Sequence, residues 1–158
     1  MKKLILLGGP IESDRIKVAQ KLNHKLSNSM MFEGSWCTQF DPTLKNPETF
    51  IMILNDIHYL LNSFLENSKI EHVVFSWIMD EQEIIEQILS GLNLTDVKVI
   101  PVSLVPSIQN VTLKFSDDSK QIDQIISRLL KYQSLATIKY DNTNVSLDSL
   151  SDDIIGQV

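Results

Sequence analysis

The stretch MKKLILLGGPIESDRIKVAQKLNHKL, residues 1–26, decides the fold. Leu4–Leu7 is an unbroken apolar run, the pattern of a strand buried on both faces. Gly8-Gly9-Pro10 interrupts it, and Ile16, Ala19, Leu22 and Leu26 then recur at helical spacing. Strand, glycine turn and helix in this order form the layout of a phosphate-cradling loop, whose working pattern is G-x-x-x-x-G-K-[S/T]. Aligned from Gly9, the chain places Asp14 at the second glycine, Arg15 at the lysine and Ile16 at the hydroxyl residue.

Each departure has a physical consequence. The second glycine lets backbone N–H groups wrap a phosphate, whereas Asp14 brings a Cβ and a negative charge. Glu12 adds a second carboxylate to the loop. At ~5 Å and an effective dielectric near 20, a carboxylate and a phosphate charge repel by roughly 3 kcal/mol. Arg15 keeps the cation but presents a planar fork on a longer stem. Ile16 offers Mg²⁺ no hydroxyl. The residues Gly9, Pro10, Ile11, Glu12, Ser13, Asp14, Arg15 and Ile16 thus form a candidate nucleotide loop expected to bind ATP poorly. An ordinary turn, with Ser13 as N-cap and Asp14 in the first helical turn, is the competing reading.

The 158 residues fit one domain, 43% apolar, with a net charge of −6 and no Lys/Arg-rich run, so nucleic acid is not an expected partner. No run of residues approaches the ~20 apolar positions of a membrane span, and four apolar residues before the glycines are too few for a signal peptide. A single cysteine, Cys37, suits a cytoplasmic protein. His24, His58 and His72 are scattered without ligand spacing, so no metal site is expected.

Further along, Met30–Phe32 reads as a second strand that runs into Glu33-Gly34-Ser35-Trp36-Cys37. Asn46-Pro47 is an N-cap followed by an N1 proline, opening a helix with Phe50, Leu54, Ile57, Leu61 and Phe64 on one face. Val73–Met79 is a third, buried strand. Asp80 and Glu83 form a capping box for a helix with Ile84, Ile85, Ile88 and Leu89 inward, ended by Gly91. Val97–Val105 is a fourth strand despite Pro101, a residue that argues against full pairing. The alternation of Val111, Leu113 and Phe115 suggests a short strand or extended loop. A helix around Ile122–Leu130, a fifth strand at 136–140 and a final helix opened by Ser146 complete the chain. Strands separated by helices imply a parallel sheet covered on both faces.

With this layout, the chain resembles the P-loop small-molecule kinases of the nucleoside-monophosphate and shikimate kinase group. The resemblance is carried by Lys2–Pro10, Val18–Leu22, Phe32–Cys37, Val74–Trp77, Asp80–Gln82 and Arg128–Asp141. It implies a three-layer α/β/α sandwich with a five-stranded parallel sheet spanning residues 1–158 as one domain, and an ATP site at the first loop. It also implies an acceptor site beside the second strand. The pattern there in such kinases is D-G-D-W; here it is Glu33-Gly34-Ser35-Trp36, so Glu33 is a candidate base and Ser35 cannot supply the second carboxylate. Ser35, Trp36 and Trp77 are candidate walls of an acceptor pocket, with core packing as the alternative for both tryptophans and a turn role for Glu33. The family's lid falls at about 106–120, where this chain is short and has no arginine.

Phosphoryl transfer needs cations around the transferred group, and the chain has two arginines, Arg15 and Arg128. Arg128 is the second candidate nucleotide contact, or else a solvent-facing helix residue. Altered loop, missing hydroxyl and arginine-free lid together point to a kinase-like protein without phosphotransfer that keeps a small-molecule pocket. Two alternatives stand beside this reading. One is an active kinase using Arg15, Glu33, ATP and Mg²⁺. The other is an interaction module using the exposed face of the 46–67 helix or the abbreviated lid region, with a homodimer supported by the apolar 106–115 segment.

Overall fold

A computed structural model describes residues 1–158. Five strands form one parallel sheet: β1 (Lys2–Gly8), β2 (Ser29–Glu33), β3 (His72–Ser76), β4 (Val97–Leu104) and β5 (Ile138–Tyr140). Their spatial order is β2-β3-β1-β4-β5, with every neighbouring pair parallel. Six helices join them: α1 (Glu12–Lys25), α2 (Pro47–Glu66), α3 (Gln82–Ser90), α4 (Ile108–Lys114), α5 (Ser119–Gln133) and α6 (Leu147–Ile155).

The apolar run of β1 serves two cores, because successive strand side chains point to opposite faces. Leu4 and Leu6 pack with Phe32, Val73 and Phe75 beneath α2 and α3. Ile5 and Leu7 pack with Val74, Ile100, Val102 and Leu104 beneath α1 and α6. The result is the expected three-layer α/β/α sandwich. The strand order brings the carboxyl ends of β1, β2 and β3 together, where ligands bind in open parallel sheets.

Several local details differ from the sequence expectation. Residues 111–115 are not extended: α4 runs through them, opened by Ser107, whose hydroxyl accepts from the Asn110 N–H at 3.1 Å. Val111 and Phe115 are one helical turn apart, so their spacing satisfies both periods. β3 ends at Ser76, leaving Trp77–Met79 outside the sheet. The cap of α3 is Glu81 and makes no side-chain bond, so the capping box of Asp80 does not form. Pro101 is paired with Leu6 of β1, while β5 joins β4 only from Val102 onward. The proline therefore lies where β4 has a partner on one side only, a position at which it is tolerated. Asn46 and Pro47 open α2 as expected, with Asn46 Oδ1 accepting from Thr49 N–H at 2.9 Å.

Candidate functional site

The loop between β1 and α1 consists of Gly9, Pro10 and Ile11 alone. α1 starts at Glu12, so Ser13 and Asp14 are already helical. The N-cap is Ile11, which has no side chain able to cap, rather than Ser13. No glycine of the chain has a positive φ. An anion-binding nest needs successive N–H groups in an αR–αL or turn conformation, and a helix begun this early narrows the stretch of loop that could supply one.

Arg15 is the most unexpected residue here. It is 1% exposed, the largest fully buried side chain in the protein. Nη1 donates to the Gly9 carbonyl at 2.8 Å, and Nη2 reaches Glu33 Oε1 at 3.4 Å. Glu33 is itself fully buried, and its Oε1 also accepts from the Ser35 N–H at 3.3 Å, capping the short 3₁₀ turn Gly34–Cys37. The two residues proposed from sequence as phosphate clamp and base are thus brought together as an ion pair, each facing the other. The polar atoms left without partners beside them are Arg15 Nε, Glu33 Oε2 and Ser76 Oγ. Ser76 is paired in register with Glu33 across β2 and β3.

Tyr132 of α5 locks the same loop from the other side. Its hydroxyl donates to the Gly9 carbonyl at 3.2 Å and accepts from the Met79 N–H at 3.1 Å. Burial pushes its phenol pKa above the usual range, chiefly through desolvation. A Cβ on Gly8 would stand 2.9 Å from the tyrosine ring, so the glycine is required by this close approach. Sequence reasoning did not single out Tyr132; it lies 123 residues from Gly9, and the only hint was its place within the stretch Arg128–Asp141.

Within the loop, Ile11 is 6% exposed and packs against Val111 of α4 and Ile125 of α5, with Phe115 and Ile126 at the margin. Asp14 is held by Lys114 Nζ at 2.8 Å and by Asn142 Nδ2 at 3.3 Å. α4 therefore lies over the loop, fixed by an apolar contact and an ion pair. A cavity of about 260 Å³ remains, lined by Pro10, Ile11, Glu12, Ser13, Phe115 and Arg128 among others. Arg128 is half-buried at its rim and makes no ion pair. Ile16 lies on α1, partly buried.

The acceptor-side residues fall into two groups. Trp36 is 56% exposed and meets Phe32 edge-on, with ring centroids 6.0 Å apart. Trp77 instead lines a second cavity of about 500 Å³, together with Phe40, Lys45, Phe50, Ile53 and Ile84. Neither Glu33, Ser35 nor Trp36 reaches its walls. Lys45, Phe40 and Phe50 were not foreseen as site residues, since Phe50 reads equally well as a core position of α2.

No family model and no curated protein matches the chain. Solved structures do. The tunicamycin resistance protein of Deinococcus radiodurans is 16% identical, covers 99% of this chain and 95% of its own, and superposes with a TM-score of 0.72. A gluconokinase from Sinorhizobium meliloti 1021 is 12% identical over 98% and 90% of the two chains, TM-score 0.67. A shikimate kinase from Acinetobacter baumannii, solved with shikimate, is 12% identical over 99% and 92%, TM-score 0.63. The fold is that of the P-loop small-molecule kinases. At these identities the likeness defines architecture, and activity must be argued from the residues.

Proposed function

We propose that this chain is a kinase-fold protein that binds a small molecule and does not transfer phosphate. The observation that carries the reading is the burial of Arg15 between the Gly9 carbonyl and Glu33. A guanidinium committed to those acceptors cannot neutralise a phosphate without breaking a buried ion pair. Glu33 Oε1 is taken by that cation and by the Ser35 N–H, and the whole carboxylate is sealed from solvent, so it is not presented to an acceptor hydroxyl. ATP with Mg²⁺, the cofactors such a fold implies, do not fit the residues present. Of the three unpartnered atoms beside the loop, Glu33 Oε2 is a carboxylate oxygen, the wrong sign for phosphate, and the two possible donors, Arg15 Nε and Ser76 Oγ, are sealed from solvent. Position 16 has no hydroxyl, and Ile11 lies under Val111 and Ile125.

Thermal melting with saturating Mg-ATP tests this. A ligand at ~100 times its Kd stabilises by about 2.7 kcal/mol, worth roughly 5–10 °C in a domain of this size. The expected shift is below 1 °C, with no ATP consumed across a panel of sugars and nucleosides. A shift of several degrees, or turnover of ATP, overturns the reading.

A further inference from the structure

The 500 Å³ cavity beside β3 has a lining that specifies its ligand. It lies among the segment Thr38–Asn46, the start of α2 and the start of α3, within the size range of small-molecule sites. Its walls are Phe40, Phe50, Ile53, Trp77, Ile78 and Ile84. Trp77 is a rigid wall: Gly34 packs so closely on its ring that a Cβ there would collide with it. Phe75 supports the ring from behind, with centroids 6.4 Å apart.

The polar part of the lining is small, made of Thr38, Lys45, Asn46 and Thr49, with the Asn46 amide nitrogen and the Thr49 hydroxyl as its free neutral groups. The Thr38 hydroxyl donates to the Ser35 carbonyl at 2.9 Å. Asn46 Oδ1 is occupied by the Thr49 N–H. Lys45 is the one charged residue of the lining, exposed at the mouth, and forms no salt bridge. A polyhydroxylated ligand would bury more hydroxyls than these two groups can pair, each one left over weakening binding by about tenfold or more. Flat rings would lose nothing on Phe50 and Trp77, and an anionic group would meet Lys45.

We propose that this cavity binds a predominantly apolar aromatic molecule of two or three rings carrying a single anionic group. The rings lie against Trp77 and Phe50, and the carboxylate, sulfonate or phosphate faces Lys45. This deepens the reading of the chain as a small-molecule binder and rests on it.

A matched pair of probes tests it: 8-anilinonaphthalene-1-sulfonate, and N-phenyl-1-naphthylamine, the same ring system without the anion. Trp36→Phe leaves Trp77 as the one tryptophan of two, so energy transfer from indole to probe reports on this cavity. Both probes are expected to bind, the sulfonate about three- to fivefold tighter, with gluconate failing to compete. Lys45→Gln, at an exposed position, should bring the two affinities together. Thr49→Phe, which fills the cavity from α2, should weaken both at least tenfold while the melting temperature stays near that of the parent. Absence of energy transfer, equal affinities in the parent, an unchanged ratio in Lys45→Gln, unchanged binding in Thr49→Phe or competition by gluconate each overturns the proposal. Mg-ATP melting is a separate readout: a positive result there removes the no-phosphotransfer reading and leaves the probe result standing.

Discussion

Removing one member of the Arg15–Glu33 pair should unfold this protein far more readily than any surface change. At 3.4 Å and an effective dielectric near 20, the attraction is about 5 kcal/mol. Desolvating two charges offsets much of that, so the pair contributes little net stability compared with an apolar replacement of equal volume. Breaking it is another matter, because the remaining charge stays buried: the expected loss is about 3–5 kcal/mol for Arg15→Met or Glu33→Leu singly. For a chain of this length that is roughly 6–20 °C in melting temperature. The double variant, which leaves no buried charge, should lose no more than either single change, so the coupling energy is at least about 3 kcal/mol. Urea unfolding of the four proteins of the cycle, followed by far-UV circular dichroism, measures this directly. Losses below 1 kcal/mol for each single change, or strictly additive losses, would refute the view that Arg15 is held as a structural cation. A phosphate-clamping arginine would show the opposite pattern, with stability intact and nucleotide affinity gone.

Tyr132→Phe deletes the hydroxyl shared between Gly9 and Met79; it should cost about 1–3 kcal/mol in urea unfolding, since two buried backbone groups lose a partner. Ile125→Ala should cost about 2–4 kcal/mol and raise hydrogen exchange in α4, whose Val111 packs on Ile125 and Ile11; unchanged exchange there would argue that α4 is not held by this contact. The Asp148 carboxyl is held below the ordinary carboxylate range by hydrogen bonds from Lys21 and then Lys25. Its stabilisation is therefore complete above a normal Asp pKa of about 3.9 and is lost as pH falls through its depressed folded-state value. Asp148→Asn should flatten part of the fall in melting temperature below about pH 4, an effect that 1 M NaCl should remove because the charges are exposed.

The sheet was legible because its strands are apolar runs bounded by glycines, helices and caps. Leu4–Leu7 and Val73–Phe75 are buried without exception, and Asn46-Pro47 opens α2 where the cap chemistry places it. α4 was not legible, because Val111, Leu113 and Phe115 alternate at period two while Val111 and Phe115 also satisfy period four. Local capping by Ser107 settles the choice, and Leu113, the residue that made the alternation look like a strand, is 71% exposed. At the candidate site, sequence singled out Arg15 and Glu33 but not their relation. A charged residue reads as exposed by default, and only the sheet order brings Glu33 at the end of β2 to a helix eighteen residues earlier in the chain. The second cavity was half legible: Trp77 was marked, whereas Lys45 gained meaning only once the turn at 42–44 placed it at the mouth.

On the proposed reading, the residues of the loop act together on one cation. A lysine ammonium is a compact point charge with flexible donors, whereas a guanidinium presents a fixed fork of them. Arg15 uses that fork to tie the Gly9 carbonyl, at the end of β1, to the Glu33 carboxylate, at the end of β2. Once Glu33 is buried, its charge requires a neighbour of this kind, and the loop can no longer release Arg15 to a ligand without stranding the carboxylate. The consequence reaches beyond position 15. Asp14 points away from the loop toward Lys114 and Asn142, which fastens α4 above Ile11. Asp14→Gly, Arg15→Lys and Ile16→Thr introduced together would restore the phosphate-binding pattern in sequence. On the proposed reading the triple variant still shows no melting shift with Mg-ATP, because α1 begins at Glu12 and Ile11 lies beneath Val111 and Ile125; a rise of several degrees would refute it.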